Sequence, residues 1–311
     1  MKLLLPQNNS MAKKFLGICL YGKCLRLLTF YNMKYIIFIF IVVLMSPCLY
    51  AQLAPIPQVL HNCTCIDTAH LKIRYSFRFK NHPLQKSYNE DIRIVQAGKN
   101  IIKDFSEIVF YYDSLATECD KKGLQSSTNP NITYPCEVYN YYKMKRTNEK
   151  YRMILNAGVL CYDSKWFDLN WIYSQDEPID ISGYKCNKAT VNFAGRVYTA
   201  WYTLDVPASF GPYKFWGLPG LIIKLEETNG MYIWEMIGLS RDTSHIYNYH
   251  YELEQQCNAE TAAKTIKRMM TTPLTFLKSV GTKFYVKKSD GSFSNEVKAE
   301  TPLPYEPIEL K

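Results

Sequence analysis

No pattern that announces a reaction is present in this chain. Its five histidines and ten cysteines make no His-Glu-x-x-His pair and no Cys-x-x-Cys pair, and there is neither a Gly-x-Ser-x-Gly elbow nor a phosphate loop. Readings as a zinc protease, thiol exchanger, α/β-hydrolase or P-loop enzyme therefore have no support. His61-Asn62-Cys63-Thr64-Cys65 lacks a second ligand pair at structural-zinc spacing, so neither a metal nor a cofactor is expected. Acidic pairs such as Asp176-Glu177 and Glu226-Glu227 occur. Glu226-Glu227 lies beside an Asn-Gly turn and reads as a solvated hairpin end, and Asp290-Gly291-Ser292 as a turn.

Long apolar runs are missing too. Tyr35 to Met45 is an unbroken apolar stretch, well short of the ~20 residues that span a bilayer. The first 51 residues contain no Asp or Glu but six Lys or Arg. Without them 31 basic residues face 28 acidic ones, so most of the formal +9 belongs to the N-terminus. No basic patch remains for nucleic acid, and no nucleic-acid partner is expected. Met33-Lys34, the apolar run and a small residue at Ala51 follow the layout of a secretory signal peptide over 33–51, with cleavage after Ala51. An uncleaved anchor and acylation of Cys48 are the alternatives, the latter disfavoured by Pro47. Residues 1–32 are odd before such a signal, and translation from Met33 would make them a gene-model extension.

Export permits disulfides. Seven cysteines follow Ala51. Cys119 and Cys136 bracket a polar loop containing Pro and Asn, and closing it would contribute roughly 3 kcal/mol in the chain-entropy model. Cys161 with Cys186 is a second candidate pair, and the odd count leaves a thiol over.

The rest reads as one β-rich domain, 52–311, without repeats or a linker. After an irregular lead-in at 62–69, Leu71 to Phe79 alternates apolar and polar residues with period two, the pattern of a half-buried strand. Strands are also expected over 92–96, 107–112, 137–143, 152–155, 166–173, 185–193 and 196–202. Leu221 to Leu239 predicts a hairpin about a type I′ turn at Asn229-Gly230. One helix stands out, capped by Asn258, with Ala259, Ala262, Ala263, Ile266 and Met270 on one face and Pro273 ending it. The tail from Thr301 is expected to be extended. The fold expected is mainly β: a twisted antiparallel sheet or half-barrel with one or two packed helices.

Residues 181–223 carry Tyr184-Lys185-Cys186-x-Lys188-Ala189, Ala200-Trp201-Tyr202-Thr203, Gly211-Pro212 and the hexapeptide Gly217-Leu218-Pro219-Gly220-Leu221-Ile222. In this order they resemble the GLPGLI family of exported bacterial proteins, and Tyr305 to Glu309 resembles that family's end. The resemblance implies export and a β-rich fold but supplies no reaction. Physically, Pro219 and Gly220 suit the two central positions of a type II turn, with positive φ at Gly220, and Gly217 permits close backbone approach. Trp201, Tyr202, Phe210, Tyr213, Phe215 and Trp216 make the tract unusually aromatic. It forms either a core and its corner or a cleft mouth that grips a ligand or partner; the interaction residues expected are Trp201, Tyr202, Gly211, Pro212 and Trp216 to Gly220.

The leading expectation is a non-catalytic cell-envelope protein, in the periplasm, on the outer-membrane surface or outside the cell. It would bind an apolar ligand or an envelope protein, and peripheral membrane association is compatible with it. A hydrolase with an unrecognised site and a structural accessory of an outer-membrane complex are the alternatives.

Overall fold

In the computed structural model the described residues are 54–282, 286–287, 293–294 and 300–310. The signal segment, Cys48, the extension over 1–32 and the Asp290-Gly291-Ser292 turn lie outside them. The strands are β1 (Cys63–Phe79), β2 (Asn89–Gly98), β3 (Ile102–Ser106), β4 (Cys136–Tyr141), β5 (Arg146–Arg152), β6 (Val159–Ser164) and β7 (Ile172–Tyr173). They continue as β8 (Ile179–Ile181), β9 (Tyr184–Phe193), β10 (Arg196–Thr203), β11 (Leu221–Glu227), β12 (Tyr232–Arg241), β13 (His245–Tyr249) and β14 (Glu254–Asn258). Helices are α1 (Glu107–Lys121), α2 (Ala259–Thr271) and α3 (Pro273–Ser279), and a small hairpin pairs β15 (Val286–Lys287) with β16 (Phe293–Ser294).

The fourteen strands β1 to β14 form one open sheet in the order β14-β6-β5-β4-β3-β2-β1-β12-β11-β10-β9-β7, with β13 on β1 and β8 on β9. It is mainly β, as expected, but mixed, since β14 joins β6 in parallel. Period-two alternation places the core on one face. Ile73, Tyr75, Phe77 and Phe79 are buried while Arg74, Ser76 and Arg78 are half-exposed. Residues from both ends of the sheet, Leu160 of β6 to Val191 of β9, share that core with Ala262, Ile266 and Met269 of α2. This is the inner face.

Several local expectations need correction. From Cys63 on, the lead-in at 62–69 is strand, because β13, far along the chain, pairs Cys63 with Tyr249 and Thr68 with His245. The segment 107–112 opens α1: Ser106 Oγ accepts the Val109 N–H at 3.1 Å, and Glu107 sits in the first turn. β-propensity suggested a strand there, and the cap overrules it. Of 166–173 only Ile172–Tyr173 is strand, and β5 stops at Arg152. Asn258 caps α2 by accepting the Thr261 N–H at 2.8 Å, but Ala259 and Ala263 are exposed and Met269 is buried. Pro273 both ends α2 and begins α3, where its missing N–H is tolerated.

The β11–β12 hairpin is present, yet not through a type I′ turn. Gly230 alone has positive φ, 67°, and Glu227 accepts from Asn229 N at 2.8 Å and Met231 N at 3.1 Å. Glu227 is therefore buried, 1% exposed, rather than a solvated hairpin end.

All seven cysteines from Cys63 on are free thiols, so neither expected disulfide is formed. Cys119 belongs to α1, whose Asp113 packs on the outer face against Arg152, whereas Cys136 joins the inner core. Cys161 and Cys186 are on β6 and β9, with eight strands between them in the sheet order.

Candidate functional site

The hexapeptide region turns inward. Phe210 bridges to Trp216, Gly211 N–H donates to the Phe215 carbonyl at 2.8 Å, and Pro212 to Phe215 closes a turn that enters the inner core. Tyr213 sits at φ 59°, unusual for a bulky residue. Three hydrogen bonds hold it there. Its N–H donates to Asp104 Oδ2 at 2.8 Å, its carbonyl accepts from Asn140 Nδ2 at 2.7 Å, and its hydroxyl donates to Glu309 Oε1 at 2.6 Å. Asp104 in turn accepts from Arg93 Nε at 2.8 Å.

Lys214, 3% exposed, donates to Glu149 Oε1 at 2.6 Å and to Glu309. Burial disfavours the ammonium, but the two carboxylates raise its pKa. Burial alone would raise Glu149, yet Lys214 holds it below the usual range, while burial pushes Glu309 up. Burial and the neighbouring Glu149 push the Cys136 thiol well above its ordinary value, which marks it as inert.

The two glycines of the hexapeptide exchange their expected parts. Gly217 carries the positive φ, 93°, and Gly220 does not. A Cβ at Gly220 would overlap the Thr203 carbonyl at the end of β10, so Gly220 supplies the close approach. No type II turn forms, and Pro219 is exposed. Leu218, Gly211, Pro212 and Tyr202 are buried. Trp201 points the other way from Tyr202, half-buried, with Lys224 Nζ 4.8 Å above its ring. The aromatic tract is thus split: Phe215 and Tyr213 fill the core, Trp201 faces out, and Phe210 with Trp216 borders a cavity.

That cavity, about 510 Å³, opens at the end of the sheet marked by Leu71, Ile102 and Tyr142. Trp166 and Trp216 form part of its wall with ring centroids 4.7 Å apart. A second cavity, about 520 Å³, lies at the opposite strand ends, beside Phe79, Tyr151 and Tyr232. Met269 and Met270 of α2 and Leu303 to Glu306 of the tail complete it. The sequence offered no local signal for this second site, because its walls come from segments far apart in the chain.

The tail is clamped rather than merely extended. Arg196 Nη2 donates to Glu306 Oε1 at 2.5 Å and to the Pro307 carbonyl at 2.8 Å, its Nε donates to the Ile308 carbonyl at 3.1 Å, and Ile308 is 2% exposed. Tyr305 to Glu309 therefore meets Tyr213 and Lys214 directly.

On the outer face the charges converge where there is little space. Arg152 donates to Asp113 Oδ1 at 2.8 Å and Oδ2 at 2.6 Å, and to Glu137 at 3.1 Å; Lys103 lies 3.8 Å from Glu137, and Lys150 is 2.6 Å from Glu254. Burial lowers the Lys103 pKa to about 8. Burial would raise Glu137, but Lys103 and Arg152 bring it down to about 2. The void beside them is about 10 Å³, no more than a water molecule needs. Among the described residues no cluster of His, Cys, Asp or Glu is placed to hold a metal.

Residues 193–224 match the model of a family described as a protein of unknown function (Porph_ging), the GLPGLI-type family of Bacteroidetes proteins. The resemblance drawn from the hexapeptide holds over that segment. No curated protein matches the chain. Two solved structures of PNGF-II, from P21 and C2 crystals, align with a TM-score of 0.42 at 16% and 15% identity. Each alignment covers 64% of this chain and only 33% or 32% of PNGF-II, about a third of its length. A likeness that slight bears on neither fold nor function.

Proposed function

We propose that this chain is a non-catalytic binding protein of the cell envelope, reached by export, that holds an apolar small molecule in the 520 Å³ cavity. The observation carrying the proposal is the cavity itself. Its volume lies within the ~300–1,000 Å³ of small-molecule sites, and aliphatic, aromatic and methionine side chains outnumber polar ones such as Asn81, Asn131 and Glu306 in its wall. The buried acid–base groups of the outer face, by contrast, have room for about one water, which leaves a hydrolase reading without a place for substrate. An accessory role through the aromatic tract is weakened by the tract's division between core, outer face and cavity wall. Export rests on the signal-like segment and on the family resemblance.

The test is binding of the fluorescent apolar probe N-phenyl-1-naphthylamine. Saturable binding is expected for the parent chain. Leu303→Trp, which adds volume at the wall, should weaken it about tenfold or more, a difference of ~1.4 kcal/mol. Absence of saturable binding by the parent, or unchanged binding by the variant, would overturn the proposal.

A further inference from the structure

The wall of the 520 Å³ cavity also carries information about the polar end of what it holds. Among the described residues, one buried donor of a residue on this wall that faces the inner side lacks a partner: Asn89 Nδ2. Asn89 is paired across the sheet with Phe79, so the two side chains share the inner face beside the cavity. Arg152 turns its guanidinium away, to Asp113, Glu137 and Tyr251 on the outer face, and does not serve the cavity. A buried donor without a partner costs about 1–3 kcal/mol, and a ligand oxygen would relieve it.

Charge decides what kind of oxygen. The wall's Arg152 and Glu306 are already paired, Arg152 with Asp113 and Glu137 and Glu306 with Arg196. No Lys or Arg charge of the wall is left over for an anion. A carboxylate head brought here would lose its hydration without gaining a counter-charge, whereas an uncharged carbonyl would lose little and gain a donor. Resting on the binding proposal above, we infer that the ligand is a neutral amphiphile: an apolar body ending in an uncharged acceptor oxygen, of the acyl ester or amide class, with Asn89 as its hydrogen-bond donor.

Competition against N-phenyl-1-naphthylamine by methyl laurate, laurate and dodecane, which share one alkyl chain, tests this at about pH 8, where laurate is ionised. The expected order is methyl laurate ahead of dodecane by about tenfold, one hydrogen bond's worth, with laurate weakest. Asn89→Leu, which keeps the branched shape of the side chain and removes the amide, should abolish the preference for methyl laurate over dodecane. Laurate competing as well as the ester, or an Asn89→Leu chain that keeps the ester preference, would overturn the inference and leave apolar binding standing. Failure of methyl laurate to compete would overturn the inference, whereas absence of saturable probe binding would overturn both. The ranking on the parent chain decides the matter even if the variant does not fold.

Discussion

Gly220 and Pro219 are neighbours in the hexapeptide with opposite duties. At Gly220 the backbone of the segment entering β11 runs against the Thr203 carbonyl, and any side chain would have to displace main chain. Gly220→Ala should therefore cost roughly 3 kcal/mol or more. Pro219 is exposed, and Pro219→Ala should cost less than about 1 kcal/mol, chiefly through the unfolded chain. Urea denaturation of the two variants checks the contrast; equal losses would mean that the proline corner matters as much as the close approach. Tyr213 extends the same logic. Its positive φ persists because Asp104, Asn140 and Glu309 fix its N–H, carbonyl and hydroxyl together. Sequence alone could place a turn near Pro219-Gly220, but which glycine takes positive φ depends on Thr203, a residue of another strand.

At the scale of elements, α1 is held to the outer face by the Asp113–Arg152–Glu137 network, and pH reports on it. The Glu137 carboxyl sits at about 2 when folded against an ordinary 4.5. Between those values the unfolded chain takes up a proton that the folded chain refuses. Its stabilising contribution is thus complete above pH 4.5 and is lost as pH falls toward 2. Glu137→Gln should destabilise the protein by roughly 3–5 kcal/mol near neutrality, since Arg152 and Lys103 lose a buried counter-charge. It should also lose less further stability across that acid window than the parent does. Urea midpoints measured against pH test this, and an acid loss equal to the parent's would remove Glu137 as the responsible group. The elements themselves were unevenly legible. Alternation in Leu71–Phe79, the Asn229-Gly230 hairpin and the Asn258 cap are local signals, and each produced its element. α1 was hidden because Ile108, Val109, Phe110, Tyr111 and Tyr112 have strand-like propensity, and the decisive Ser106 cap and Asp113–Arg152 pair are respectively subtle and distant.

Across the whole molecule, an open sheet is filled at its middle by the Tyr213–Phe215 turn and leaves a cavity toward each set of strand ends. The hexapeptide region, which lies in the segment matched to the family, and the tail Tyr305 to Glu309 meet at Lys214, Tyr213 and Glu309. Just before that meeting point, Leu303 to Glu306 of the tail form part of the wall of the 520 Å³ cavity. The motif's turn is thereby tied to the proposed site through the tail. Its residues were readable as a group, but their meeting was not, because a gap of about ninety-five residues separates Lys214 from Glu309. The same distance effect hid the β1–β13 pairing and the parallel β14–β6 pair.

Native mass spectrometry of the protein purified from its own cells without detergent tests the binding claim most directly. A reproducible extra mass that leaves on denaturation and extracts into organic solvent as an apolar compound is the result predicted. A bare protein mass, unchanged after incubation with N-phenyl-1-naphthylamine or methyl laurate, would contradict it.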